Sequence, residues 1–205
     1  MKLYYAQATC SLAPHMALRE AGLSFSLSKY EMKSGMLDDG RPLTEVNPKG
    51  FVPVLELDTG ERLTEVAVIL QYIADKNPSA NLLPPAGSME RYRVLEWLNY
   101  IGTEIHKAHW PIFHDGAEVE IQKAHEKLAR NYSWLEQQLA GKSYLMGEQL
   151  SVADLYLATT LNWARAAKIE LARWPGLVAL RDRVRARPAV QAAMEAEGLL
   201  KKKAN

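Results

Sequence analysis

The chain has 205 residues, with 25 Lys or Arg against 24 Asp or Glu, a formal charge of +1, 48% hydrophobic residues and one cysteine. That length and apolar share suffice for one large core or two modest ones, and the charge balance argues against nucleic-acid or anionic-membrane partners. A single cysteine excludes an intrachain disulfide and fits a reducing cytoplasm, and no run approaches the roughly 20 apolar residues of a membrane span.

The N-terminus enters a strand at once, without a basic and apolar leader, so a cytoplasmic chain is expected. Alternating and aromatic residues predict that strand up to Tyr5. Ser11 to Ala21, with Leu12, His15, Met16 and Arg19 at helical spacing and Gly22 as a stop, predicts a helix. Ser24 to Ser28 alternates as a second strand and completes a βαβ unit. From Met32 to Thr44 the residues Gly35, Gly40 and Pro42 interrupt any period, and the stretch is read as irregular or weakly helical. Asn47-Pro48-Lys49-Gly50 marks a turn, Val54 to Leu57 a strand, and Asp58-Thr59-Gly60 a hairpin before Glu61-Arg62-Leu63. A helix follows, with Thr64 as N-cap and Val66, Ile69, Leu70 and Ile73 on its apolar face.

Breakers from Asn77-Pro78 to Pro84-Pro85-Ala86-Gly87 divide the chain into an α/β domain over 1–80, a linker at 81–87 and an all-helical domain over 88–205. In the second domain, helices are predicted over Met89 to Trp110, Ile121 to Leu139, Ser151 to Ala167, Pro175 to Arg187 and Pro188 to Ala196. Ser151 as N-cap with Asp154 three residues on reads as a capping box, flanked by a Leu150 and Leu155 staple. Asp154 is therefore assigned to the cap rather than to acid catalysis. The terminal Lys201-Lys202-Lys203 reads as a solvated end.

Four features could carry chemistry. Cys10 is by default a small buried hydrophobe, but its place before a helix favours a thiolate through unpaired amides and the dipole. Val52-Pro53 is either an ordinary trans loop bond or, if cis, a way to turn the Val52 backbone out of the ladder. Glu65 opens a helix whose N-terminus can hold a carboxylate, and it can pair with an amine, although acids are common in a first helical turn. Asn99, Thr103 and His106 fall at i, i+4 and i+7 and so share one face of a continuous helix, while His106 and His109 lack the carboxylate or cysteine a metal set needs.

Together, Cys10-Ser11-Leu12, Asn47-Pro48-Lys49-Gly50-Phe51-Val52-Pro53, Leu63-Thr64-Glu65, Gln71 to Asp75, Glu96 to Ile101, Glu104 to Lys107 and Ser151 to Asp154 resemble a cytosolic glutathione S-transferase of the bacterial beta class. The resemblance implies a thioredoxin-like domain followed by an all-helical one, a homodimer, and an active site between the two domains. It implies that Val52, before a cis Pro53, pairs with the cysteinyl unit of glutathione. Glu65 and the backbone of Val66 would hold the γ-glutamyl end, Cys10 and His106 would flank the sulfur, Asn99 and Thr103 would complete that wall, and Trp163 would edge the hydrophobic co-substrate pocket. Two positions depart from the family pattern: Val66 stands where Ser or Gly is usual, and Gly35 where similar enzymes place a lysine, with Lys33 nearby.

The expected activity is conjugation of the glutathione thiolate to hydrophobic electrophiles, with glutathione as co-substrate and no other cofactor. Thiol-disulfide exchange or peroxide reduction at Cys10 is expected beside it. A stress-associated glutathione-binding protein with little conjugation is the alternative.

Overall fold

Leu3, Tyr4 and Tyr5 are all buried because β1 (Lys2–Tyr5) is the middle strand of a five-stranded sheet in the computed structural model, which describes residues 1–200. The basic run Lys201-Lys202-Lys203 lies outside the described residues. α1 (Leu12–Glu20) follows, then β2 (Ser26–Glu31), parallel to β1 with Lys2 opposite Ser26 and Tyr5 opposite Lys29. The interrupted stretch after β2 contains a two-residue edge strand, β3 (Met36–Leu37), and one short turn of helix over Leu43–Glu45. β4 (Val54–Glu56) pairs antiparallel with β1 on its other side, and β5 (Arg62–Leu63) pairs antiparallel with β4, giving the order β3-β2-β1-β4-β5. α2 (Val66–Lys76) then buries Ile69, Leu70 and Ile73 and packs against α1.

The predicted helix from Met89 to Trp110 is not one helix. α3 (Met89–Tyr100) runs into a widened π-type turn over Ile101–His106, a tight turn over Lys107–His109, and a short α4 (Trp110–Phe113). α5 (Glu118–Gln138) carries Leu128, Tyr132 and Leu135 on its buried face. α6 (Val152–Leu161) is buried at every residue, so it forms the centre of the helical unit, and α7 (Pro175–Arg185) packs against it. α6 stops at Leu161 rather than Ala167, so Trp163 lies in the turns that follow it.

Asp154 forms the cap expected of it. Its Oδ2 accepts the Ser151 N–H at 2.8 Å and the Ser151 hydroxyl at 2.7 Å, and its Oδ1 accepts the Leu145 N–H at 2.7 Å.

α8 (Pro188–Ala196) corrects the domain reading. The chain divides into Met1–Leu82 together with the stretch beginning at Arg187, and a separate unit of Leu83–Ala186. α8 packs on α1, and Arg187 makes a two-pronged ion pair with Glu20 of α1 at 2.6 and 2.8 Å. The physical reason lies in α1, which is buried from Leu12 through Leu18 and needs a cover on the face that the sheet and α2 leave open. Helical periodicity identifies α8 as a helix but does not say which core it completes.

Candidate active site

The loop from Ala6 to Ser11 is tied down by its own side chains. Ser11 Oγ donates to the Ala6 carbonyl at 3.0 Å and accepts the Ala6 N–H at 3.2 Å, and Thr9 Oγ1 donates to that carbonyl at 2.9 Å. The Ser11 hydroxyl is thus committed to the backbone of Ala6. Ala8 sits in the left-handed region at φ 61°, and its N–H donates to Oε2 of the fully buried Glu197 at 3.3 Å. Glu197 Oε1 lies 2.9 Å from His15 Nδ1, and Arg19 Nε donates to His15 Nε2 at 3.0 Å. A ring that accepts at Nε2 carries its hydrogen on Nδ1, so Arg19 donates to His15 and His15 to Glu197, whose carboxylate also accepts the Ala8 N–H.

Cys10 stands just before α1, 9% exposed, with its thiol donating to the Val52 carbonyl at 3.5 Å. Burial pushes its pKa up to about 12. The N–H groups of Cys10 and Ser11 pull it down and the Glu65 carboxylate pushes it up. The expectation of a thiolate stabilised by the helix is overturned, because desolvation outweighs the two amides.

The Val52-Pro53 peptide is cis. Val52 packs on the cluster of Tyr4, Leu37, Leu43, Val46 and Val54, while its N–H makes no hydrogen bond to the described residues. Glu65, not Thr64, occupies the cap position of α2, at φ 67° and ψ 119°, a conformation that costs a non-glycine residue on the order of 1–3 kcal/mol and concentrates at functional sites. Its side chain is exposed and bonded to Lys49 Nζ at 2.8 Å. Val66 is buried by its side chain, which leaves only its backbone amide for an anion at the helix start. Gly35 has φ 74°, a left-handed turn position where any lysine would be strained, and Lys33 beside it is exposed.

In the helical unit, Asn99 and Thr103 are exposed and adjacent, the Thr103 hydroxyl donating to the Asn99 carbonyl at 3.1 Å. The widened turn breaks the helical register on which the shared face depended, and His106 is half-buried instead. Its Nδ1 lies 2.7 Å from Tyr156 Oη and its ring meets Trp163 edge-on at 5.1 Å. Burial lowers its pKa to about 4, helped by His109 and Lys107, so the ring is neutral at pH 7. Trp163 also meets His109 at 5.3 Å and Phe113 at 6.1 Å. Among the described residues, no helix is long and apolar enough to cross a membrane, and no group of three His, Cys, Asp or Glu could hold a metal ion.

Residues 9–76 match the glutathione S-transferase N-terminal domain model and residues 100–188 the C-terminal domain model. Glutathione S-transferase GstA of Escherichia coli O157:H7 is 40% identical over 200 residues, covering 97% of this chain and 100% of that one. The chain belongs to the glutathione S-transferase family. Solved structures similar to this transferase include a sphingomonad glutathione S-transferase complexed with glutathione, 42% identical with a TM-score of 0.94, which covers 98% of this chain and 100% of its own. A bacterial beta class enzyme from Sphingomonas chungbukensis is 40% identical with a TM-score of 0.94 at the same coverage. The transferase therefore sorts with the bacterial beta class, and its sheet-plus-helices architecture is the glutathione transferase fold.

The first unit of this transferase brings Cys10 and Val52 into contact and presents Glu65 at the start of α2. The helical unit groups His106 with Trp163 and leaves Asn99 and Thr103 on the surface. Sequence reasoning missed Lys49, Tyr156 and Glu197. Lys49 was visible only as part of a turn motif, and nothing local marks Tyr156 or Glu197 as partners of the histidines they meet.

Proposed function

We propose that this transferase joins the glutathione thiolate to hydrophobic electrophiles. The carrying observation is the unpaired Val52 N–H beside the buried Cys10 thiol, with Glu65 presented at the start of α2. Glutathione is a tripeptide that supplies an acceptor for that amide, an ammonium for Glu65 and a carboxylate for the first amides of α2, including that of Val66. Pro53 holds the Val52 backbone in this presentation, and Asn99 and Thr103 are assigned to the same ligand. In the reaction, the glutathione sulfur forms a C–S bond as the leaving group departs with its electron pair, and the thiol proton passes to solvent.

His106, neutral at pH 7 with a pKa near 4, serves the sulfur as a hydrogen-bonding group and not as a general base. Trp163, with the rings of His109 and Phe113 edge-on to it, makes an apolar wall for the co-substrate. Glutathione is the co-substrate, with no separate cofactor, and the setting is cytoplasmic.

Retention on immobilised glutathione followed by turnover with a chlorinated nitroaromatic tests this reading. Retention without chloride release would favour the stress-associated binding protein instead. Cys10 is the group on which disulfide exchange would run: its thiolate attacks glutathione disulfide, the S–S bond of that disulfide breaks, one glutathione leaves as thiolate and the other stays on Cys10 as a mixed disulfide. Its burial and raised pKa hold it as a thiol in the free protein. Cys10→Ala is therefore expected to keep conjugation within about threefold, since the mechanism uses another sulfur as nucleophile, while abolishing any reduction of disulfide substrates. Loss of conjugation by two orders of magnitude would make Cys10 essential to it.

The homodimer belongs to the same proposal. α3 and α5 expose an aromatic cluster in which Trp134 lies 5.3 Å from Trp97 and 4.8 Å from Tyr100, with Trp134 41% and Tyr92 57% exposed. A second copy of the chain is the occupant proposed for this patch. Sedimentation is expected to give twice the chain mass, falling toward the single chain in Trp134→Glu.

A further inference from the structure

Lys49 is anchored at its backbone and committed at its tip. The buried Asn47 accepts the Lys49 N–H at 3.2 Å through Oδ1 and donates from Nδ2 to the Phe51 carbonyl at 2.7 Å, which fixes the turn leading into Val52. From there the Lys49 side chain crosses to the start of α2, where Nζ donates to Thr64 Oγ1 at 3.0 Å and to Glu65 Oε1 at 2.8 Å. Both members of the ion pair are largely exposed, at 56% and 68% of their side-chain areas, and a pair so placed contributes little to folding.

The pair sits where a ligand is expected. Glu65 Oε2 has no partner among the described residues, so one oxygen is held by Lys49 and the other is open. Glu65 itself is fixed in a left-handed conformation that aims its side chain. The next residue, Val66, brings no hydroxyl and has a buried side chain, so positive charge for an anion at this helix start comes from backbone amides and from Lys49. A cation beside a half-open carboxylate complements a group that carries an ammonium and a carboxylate on one carbon.

We propose that Lys49 is a second charged contact for the γ-glutamyl end of glutathione: its ammonium takes the α-carboxylate while Glu65, held through Oε1, takes the α-ammonium through Oε2. This rests on the glutathione reading and extends it to a residue not assigned by the resemblance. Because Lys49 acts in binding and not on the sulfur, its loss falls on KM for glutathione and not on kcat.

The test is titration calorimetry of the full chain with glutathione and with 4-aminobutyryl-cysteinyl-glycine, which lacks only the α-carboxylate. Lys49→Met is expected to raise Kd for glutathione about tenfold, in keeping with one lost charge-assisted contact, and Lys49→Arg to recover most of it. The decarboxylated peptide is expected to bind wild type and Lys49→Met alike. Unchanged glutathione affinity in Lys49→Met would overturn the proposal and leave the glutathione reading standing. An equal loss toward both peptides would also overturn it, since Lys49 would then act only by steadying Glu65. A wild-type chain that binds neither peptide would remove the glutathione reading and the role of Lys49 together.

Discussion

Asp154→Ala is expected to lower the unfolding free energy by about 3–5 kcal/mol at pH 7.5, a large part of the 5–15 kcal/mol typical of whole domains. The carboxylate has no exposed surface and accepts three hydrogen bonds, two of them from the buried amides of Leu145 and Ser151. Alanine strips the acceptor from all three donors at once. Each buried donor left without a partner costs about 1–3 kcal/mol, and partial relaxation keeps the sum below the full addition. Burial pushes the Asp154 pKa up to about 6, against the pull of hydrogen bonds from Leu145 and Ser151, so at pH 7.5 the group is ionised and a full acceptor. Asp154→Asn keeps one acceptor oxygen and turns an NH2 group toward donors, so about half the loss is expected. Urea melts of the two variants beside wild type decide the matter. A loss below about 1 kcal/mol in Asp154→Ala would reduce the carboxylate to an ordinary exposed-type cap.

That capping box was legible because everything it needs lies within the six positions from Leu150 to Leu155: a cap residue, an acid three places on, and apolar neighbours. The same locality made β1, α1 and the β4 strand readable. Failures begin where partners are distant or where backbone geometry is not encoded by a residue type. Cys10 was expected to be a thiolate from its position before a helix. Its pKa is set instead by burial, a property of the folded core that the spacing of neighbours does not carry. Thr64 has the chemistry of an N-cap, yet α2 starts one residue later because Glu65 takes a positive φ, which no propensity assigns to glutamate. The stripe of Asn99, Thr103 and His106 assumed an unbroken helix, and the widened turn after Tyr100 rotates His106 toward Tyr156 and Trp163. The family motifs named Glu65 and Val52, but Lys49 gains meaning only when the turn and the helix start are seen bridged by its side chain.

Glu197→Ala is the second variant with a large expected effect, and it couples stability to the Cys10 loop. Glu197 and His15 stand 182 residues apart and both are fully buried, so the carboxylate is surrounded by groups that exist to meet it: the Ala8 N–H and the His15 ring, itself steadied by Arg19. Removing the carboxylate strands two buried donors, the Ala8 N–H and the His15 Nδ1–H, at about 1–3 kcal/mol each, for a loss of about 2–4 kcal/mol after partial relaxation. Glu197→Gln keeps one acceptor oxygen and is expected to lose roughly half of that. The loop consequence is separate from the loss of packing. Ala8 is held at φ 61°, two residues before Cys10, and its N–H bond to Glu197 supports that conformation against the preference of an alanine for negative φ. The Gln7 side chain, bound to the Glu197 carbonyl at 2.7 Å, remains in the variant as a weaker tether. Released at Ala8, the loop relaxes and the Cys10 thiol loses the enclosure that keeps it un-ionised. In the folded baseline of the melt, Glu197→Ala is therefore expected to react with a disulfide reagent at Cys10 about tenfold faster than wild type, in proportion to the thiolate fraction regained. A lowered midpoint with unchanged thiol reactivity would assign Glu197 to the seating of α8 on α1 alone. Faster labelling in both variants, ranked as their stabilities are, would tie the C-terminal stretch to the loop that presents Cys10.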